Sequence, residues 1–319
     1  MKQLINYCPI PGYESDIPLT DKEIGSYLQQ TGLDGIELYI YQNEPFAQTY
    51  VNTTMGVHLK FWPYWLDLWH DRNEFLASKF ASEHELRKFY QGAGNKEEWL
   101  EAIRSNIRLA LKEEPEYLVW HISESDDEEI FTFAFKYTDE EVVEAAAEVY
   151  NAVRSIVPQQ VTVLFENLWW PGLRLTDRKI AEKFFSLIEG ENTGIMLDTG
   201  HLMNTNQHLQ NEQEALGYIC ETIGKLGPVR NKIKGIHLSS SLSGEYLRGL
   251  KRKLPDKKDA GNVPLHIACI DKHEPWAQAR IKRLLDLIQP DYLVHELYYD
   301  SFEELAAMVK LQQGLLTKD

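Results

Sequence analysis

The stretch LDTGHLM, residues 197–203, sets Asp198 and His201 three positions apart with Gly200 between them, directly after a short apolar run. A second close pair, Asp271 and His273, stands in IDKHEP. His58, His121, Glu166, His237 and Glu296 each fall at or near the end of another apolar run: MGVHLKF, YLVWHIS, VTVLFEN, IKGIHLS and YLVHELYY. A carboxylate in an apolar setting is costly unless it is paired or bound to a cation. Four carboxylates gathered with few lysines or arginines nearby, Lys60 being the clearest, call for divalent metal. Mixed imidazole and carboxylate donors suit Zn, Mn, Fe or Co better than Ca or Mg.

For these nine residues to meet, the apolar runs must lie side by side. QLINYC, GIELYIY and TGIMLDT complete a set of eight, each about as long as a buried strand. Between most of them lie stretches of helical period, including KEEWLEAIRSNIRLALKEE, DEEVVEAAAEVYNAVRSIV, NEQEALGYICETIGKLG and PWAQARIKRLLDLIQ. Capping boxes at Thr20–Glu23, Thr138–Glu141 and Ser301–Glu304 mark helix starts. Strands alternating with helices pair in parallel through right-handed crossovers. Eight such units predict a single (β/α)8 barrel domain over residues 1–319. No GxGxxG follows the first strand, which argues against a doubly wound sheet. Two long loops, 61–95 and 242–274, follow strands three and seven and rise from the C-terminal face, where such barrels carry their sites.

Side chains alternate along a strand, so parity selects what points inward. His58 shares a side with Gly56 and Lys60, and His121 with Val119. Glu166 goes with Leu164, Asp198 with Met196, His237 with Gly235, and Glu296 with Val294. Gly200 permits a sharp turn that brings His201 back over the barrel mouth. Glu37 in GIELYIY also points inward, either as a structural hydrogen-bond partner or as a substrate contact. His295 faces the helices and reads as structural, while His70, His84 and His208 read as solvated. His266 falls in PLHIACI, which reads as a small added strand.

Composition bounds the rest. Of 319 residues, 43% are hydrophobic and 26% charged, as in ordinary globular chains. No run is long enough for a membrane span, and the N-terminus lacks a signal-peptide pattern, so a cytoplasmic protein without membrane contact is expected. Three scattered cysteines define neither a disulfide framework nor a metal motif. The net charge of −16 weighs against affinity built on phosphate neutralisation. The one basic patch is KRKLPDKKD, the place to expect a phosphorylated polymer if one binds.

The motifs resemble the xylose isomerase-like TIM-barrel superfamily, which contains sugar isomerases and epimerases and the endonuclease IV group. Glu166 in LFENLWW, Asp198 in LDTGH, His237 in GIHLS and Glu296 in VHEL resemble its shared metal set, each at a different strand end in the expected order. His58, His121, His201, Asp271 and His273 resemble the additional ligands of endonuclease IV, which holds three zinc ions and cleaves DNA at abasic sites. By that likeness His58, His121 and a bridging Glu166 would hold one ion. Asp198, His237, Glu296 and Glu166 would hold a second, and His201, Asp271 and His273 a third. Leu168, Trp169 and Trp170 stand where that group has small residues and glycine, and Glu274, Pro275 and Trp276 replace its Gly-rich turn.

The resemblance implies a metal-dependent enzyme with one to three divalent ions. The favoured expectation is a sugar or polyol isomerase or epimerase, in which Glu166 and Glu296 exchange a proton beside a carbonyl and His201 donates to a substrate oxygen. Trp62, Trp65, Trp69, Trp169 and Trp170 would cover a ring, and Lys60 or Arg174 would meet an anionic tail. FWPYWLDLW reads equally as a hydrophobic plug or as a contact with a second copy of the chain. The alternative is a multi-zinc phosphoester hydrolase resembling endonuclease IV, with nucleic acid a less favoured partner than a carbohydrate-like small molecule.

Overall fold

Eight of the apolar runs do form strands, and they close on one another. The computed structural model describes residues 1–10, 18–41, 45–253 and 263–316. The strands are β1 (Lys2–Tyr7), β2 (Gly35–Tyr39), β3 (Thr54–His58), β4 (Tyr117–His121), β5 (Thr162–Glu166), β6 (Thr193–Asp198), β7 (Ile233–His237) and β8 (Tyr292–His295). They form a closed barrel in chain order, and β8 pairs in parallel with β1. Helices run between them, giving a (β/α)8 TIM barrel.

Alternation splits the apolar residues into two populations. Leu4, Tyr117, Val119, Leu164, Met196 and Val294 fill the barrel interior as one cluster. Ile5, Ile36, Leu38, Val57, Leu118, Phe165, Ile195, Leu197, Ile236 and Leu293 join the helices in a far larger one. Two glycines make room inside. A Cβ on Gly56 would lie 2.1 Å from the Tyr117 ring, and one on Gly235 would lie 2.6 Å from Met196 Sδ. A third apolar cluster, with Ile130, Leu168, Trp169, Trp170, Leu247 and Ile270, comes from the loops after β4, β5 and β7.

Both long loops carry helices of their own. Residues 61–95 contain Leu66–Trp69, Asn73–Lys79 and Glu83–Phe89, and the loop after β7 contains Gly244–Gly249 and Val263–Ile270. PLHIACI is therefore helical rather than a strand. A short apolar run does not by itself distinguish the two, and here only His266 and Ile270, four apart on one face, are buried. Most of the KRKLPDKKD patch, from residue 254 onward, lies outside the described residues.

The capping boxes at Thr20 and Thr138 are formed. At Ser301 the hydroxyl accepts from Glu304 N–H, while the Glu304 carboxylate takes the Asp300 N–H instead. The helix Phe302–Leu316 is fixed by the fully buried Gln312. Its Nε2 donates to Leu238 O and to His295 Nδ1, and its Oε1 accepts from Trp276 N–H. His295 thus faces the helices and is wholly buried. His70, His84 and His208 are exposed. Among the described residues no helix is long and apolar enough to cross a membrane.

Candidate metal centre

The end of β6 shows how the chain aims its donors. Asp198 is the N-cap of the helix Thr199–Asn204, and its Oδ1 accepts the His201 N–H at 2.6 Å. Gly200 lets this turn lie against β7, since a Cβ there would meet Ser239 Oγ at 2.7 Å. The His201 ring swings over the mouth, where Nδ1–H donates to Asn167 O at 2.8 Å.

All nine candidate ligands converge, and they sort into three groups. One ligand atom from each member lies within 4.8 Å of the others in His58/His121/Glu166, in Glu166/Asp198/His237/Glu296 and in His201/Asp271/His273. Glu166 belongs to two of them. Its Oε2 lies 3.0 Å from His58 Nε2 and 3.1 Å from His121 Nε2, and its Oε1 lies 3.2 Å from His237 Nδ1. Asp271 Oδ2 is 3.0 Å from His201 Nε2 and 2.6 Å from His273 Nε2.

The donor chemistry fits divalent ions. His58 Nδ1–H donates to Leu59 O, His201 Nδ1–H to Asn167 O and His273 Nδ1–H to Glu296 O. A neutral imidazole so committed leaves Nε2 as a lone pair. In all three residues that lone pair faces a carboxylate oxygen. Two lone pairs about 3 Å apart repel unless a proton or a cation lies between them. Several buried atoms also lack a hydrogen-bond partner among the described residues: both His121 ring nitrogens, Asp198 Oδ2 and Glu296 Oε2. His237 Nδ1 is 3.0 Å from Glu296 Oε2 but is not aligned to donate to it.

Electrostatics point the same way. Burial alone would raise the Glu166 carboxyl, yet the His121 and His237 imidazoles hold it well below the usual carboxylate range. Asp198 goes the other way: burial, aided by the Glu296 and Asp271 charges and opposed by His201, raises it well above that range. Burial opposes a charge on His273, but Asp271 beside it pushes the imidazole up to about 10. His201 and His237 are likewise raised against burial, by Asp198 and Asp271 and by Glu296 and Glu37. His121 is lowered by burial. The rim is a field of negative charge that gathers positive charge to itself.

Above the groups lies a cavity of about 290 Å³. His58, His121, His201, Asp271, His273 and Glu296 form its base, and Lys60, Trp169 and Trp170 contribute walls. Other expected contacts fall elsewhere. Arg174 does not line the cavity, because Asp139 holds its guanidinium at 2.6 and 3.1 Å. Glu37 does not line it either; it sits below, bonded to His237 and Tyr117. Trp62, Trp65 and Trp69 do not form a rim. Trp65 stacks on Trp99 and donates to Ser123 O, Trp62 packs edge-on against Trp99, and Trp69 donates to Glu148. For these three the plug reading holds.

Sequence reasoning missed several residues. Asn6, Tyr39 and Tyr41 line the cavity, beside Tyr298, which the parity of Val294 and Glu296 already pointed inward. Asn167 brackets β6 by accepting from Asp198 N–H and donating to Asp198 O, and Ser241 Oγ donates to Asp271 Oδ1. Parity with Leu4 could have found Asn6, and adjacency to Glu166 could have found Asn167.

No protein-family model matches the sequence, and no curated protein matches it. Solved structures do. Endonuclease IV from Thermus thermophilus superposes with a TM-score of 0.55 at 13% identity, over 99% of both chains. A D-tagatose 3-epimerase-like protein gives 0.55 at 13% identity, over 99% of this chain and 97% of that one. Mannonate dehydratase from Streptococcus suis serotype2 gives 0.53 at 12% identity, over 99% and 92%. These likenesses bear out the (β/α)8 barrel fold. At these identities the likeness speaks for the fold.

Proposed function

We propose that the chain is a multi-metal enzyme that hydrolyses a small phosphoester. One observation carries this reading. The ring nitrogens left free on His58, His201 and His273 face carboxylate oxygens at 2.6–3.0 Å. Histidines meant to bind a sugar would aim that nitrogen into the cavity. Proton transfer beside a carbonyl needs one metal and its four ligands, which leaves these donors without a task. Hydrolysis at phosphorus uses them all.

Divalent ions, which the three groups would hold, would supply Lewis-acid chemistry: activation of a water and neutralisation of charge developing on the phosphoryl oxygens. Lys60, half-buried at the cavity wall, meets a phosphate oxygen. Glu296 is the member of the four-residue group that lines the cavity, and the carboxylate oxygen it does not give to an ion would take the proton of the attacking water as that water's oxygen bonds to phosphorus and the bond to the leaving oxygen breaks. Trp169 and Trp170 exclude bulk water from one side. These bulky walls and the net charge of −16 favour a small ester over duplex DNA.

The confined cavity favours a second reading, a sugar or polyol isomerase or epimerase. Lys60 is the sole cation on its described wall, and the remainder is rich in aromatic rings that suit a neutral sugar. Glu166 and Glu296 would then move the proton. One experiment separates the two. Freshly purified protein is assayed for metal content, for cleavage of bis(p-nitrophenyl) phosphate and for solvent deuterium uptake into ketoses. About three ions and diester cleavage support hydrolysis. One ion with deuterium uptake supports the isomerase and overturns the first reading.

A further inference from the structure

We infer that Glu37, on the second strand and out of reach of substrate, is a positioning residue that forces His237 to bind metal through Nδ1. The inference rests on the reading of the rim as a metal centre. His237 is the odd member of the set. His58, His201 and His273 each commit Nδ1–H to a backbone carbonyl and present Nε2. His237 is turned the other way. Its Nε2 lies 3.0 Å from Glu37 Oε1 and 3.2 Å from Oε2, and a carboxylate there accepts only from Nε2–H. Nδ1 is left facing Glu296 Oε2 at 3.0 Å, Glu166 Oε1 at 3.2 Å and Asp198 Oδ2 at 3.9 Å.

Glu37 is itself held. Tyr117, wholly buried in the barrel interior, donates its hydroxyl to Glu37 Oε2 at 2.8 Å. Gly56 provides the space for that ring. A relay therefore climbs from the barrel floor to the rim: Tyr117, Glu37, His237, then the four-residue group. A carboxylate on the far nitrogen of a ligating imidazole fixes its tautomer and raises its basicity. On His58 and His273 that place is taken by a neutral carbonyl, on His201 by a carbonyl with Glu166 Oε1 at 3.3 Å beside it, and on His121 by no hydrogen-bond partner among the described residues. The group containing His237 is thereby assigned the tightest ion.

The test uses zinc and the full chain. Zinc affinity and stoichiometry are measured by competition with a chromophoric chelator for wild type, Glu37→Ala, Glu37→Gln and Tyr117→Phe. Glu37→Ala should weaken one ion by about 10–100-fold and leave the rest unchanged. Glu37→Gln, which keeps an acceptor, should recover part of the loss, and Tyr117→Phe should show a smaller one. In zinc-loaded wild type, ring-nitrogen NMR of His237 should show a proton on Nε2 and none on Nδ1. Unchanged affinity in Glu37→Ala, or a proton on Nδ1 with zinc on Nε2, overturns the assignment of Glu37 alone. Wild type that binds no zinc overturns the metal centre as well. If Glu37→Ala fails to fold, the two milder variants carry the test.

Discussion

His201 Nε2 and Asp271 Oδ2 stand 3.0 Å apart, although 70 residues separate them in the chain. One follows β6 and the other closes the long loop after β7. Asp271 is fixed from its other side by Ser241 Oγ, and His201 by the Asn167 carbonyl. The pair is therefore set by three loops: Asn167 follows β5, His201 follows β6, and Ser241 and Asp271 follow β7.

Removing Asp271 should take away one ion and leave the others. In Asp271→Ala, metal content should fall by one per chain while the groups built on Glu166 stay loaded. Glu166→Ala should do the reverse, since its carboxylate serves two groups. Elemental analysis of the two variants checks both outcomes.

Chelation should destabilise the fold. An ion that binds only the folded chain stabilises it by about 4 kcal/mol at a thousandfold excess over Kd. Thermal unfolding with and without a strong chelator should show a Tm lowered by several degrees, restored by added zinc. An unchanged Tm would remove the basis for a metal centre.

Acid should act through His295. Burial holds this imidazole down to about 3, against 6.5 for a free one. Its Nδ1 accepts from Gln312 and its Nε2–H donates to Gln3, so the neutral ring is satisfied and a proton on Nδ1 has no place. The unfolded chain takes up a proton below pH 6.5 and the folded chain does not until about pH 3. Stability is thus unaffected above pH 6.5 and is lost as pH falls below it, by up to about 1.4 kcal/mol per unit. Urea midpoints from pH 7 to 4 should fall more steeply for wild type than for His295→Gln.

Gly56→Ala should damage the barrel from within. The new methyl would overlap the Tyr117 ring, and overpacking of this kind costs about 1–3 kcal/mol. Pairing it with Tyr117→Leu should recover part of the loss, seen as a non-additive double-mutant cycle in urea.

Much of this site could be read from the chain because strand alternation has a period of two and each donor closes an apolar run. His58, Glu166, Asp198 and His237 are terminal residues of β3, β5, β6 and β7, where parity placed them. What alternation does not reveal is the neighbour across the barrel. Glu37 points inward as expected, but its partner His237 is 200 positions away and depends on closure. Arg174 was beyond reach for a similar reason, as its carboxylate partner, Asp139, opens the helix Asp139–Val153, 35 positions earlier in the chain. The aromatic stretch left two readings open because tryptophans pack loops as readily as they line mouths.

The plug of Leu4, Tyr117, Val119, Leu164, Met196 and Val294 closes the barrel below the rim. The chamber above it is a cul-de-sac. A ligand therefore enters and leaves on the loop face, where Tyr41 and Tyr298 are the most exposed of the described lining side chains. On the proposed reading, product and incoming substrate share that face, and bulk added at either tyrosine should slow exchange without touching the chemistry.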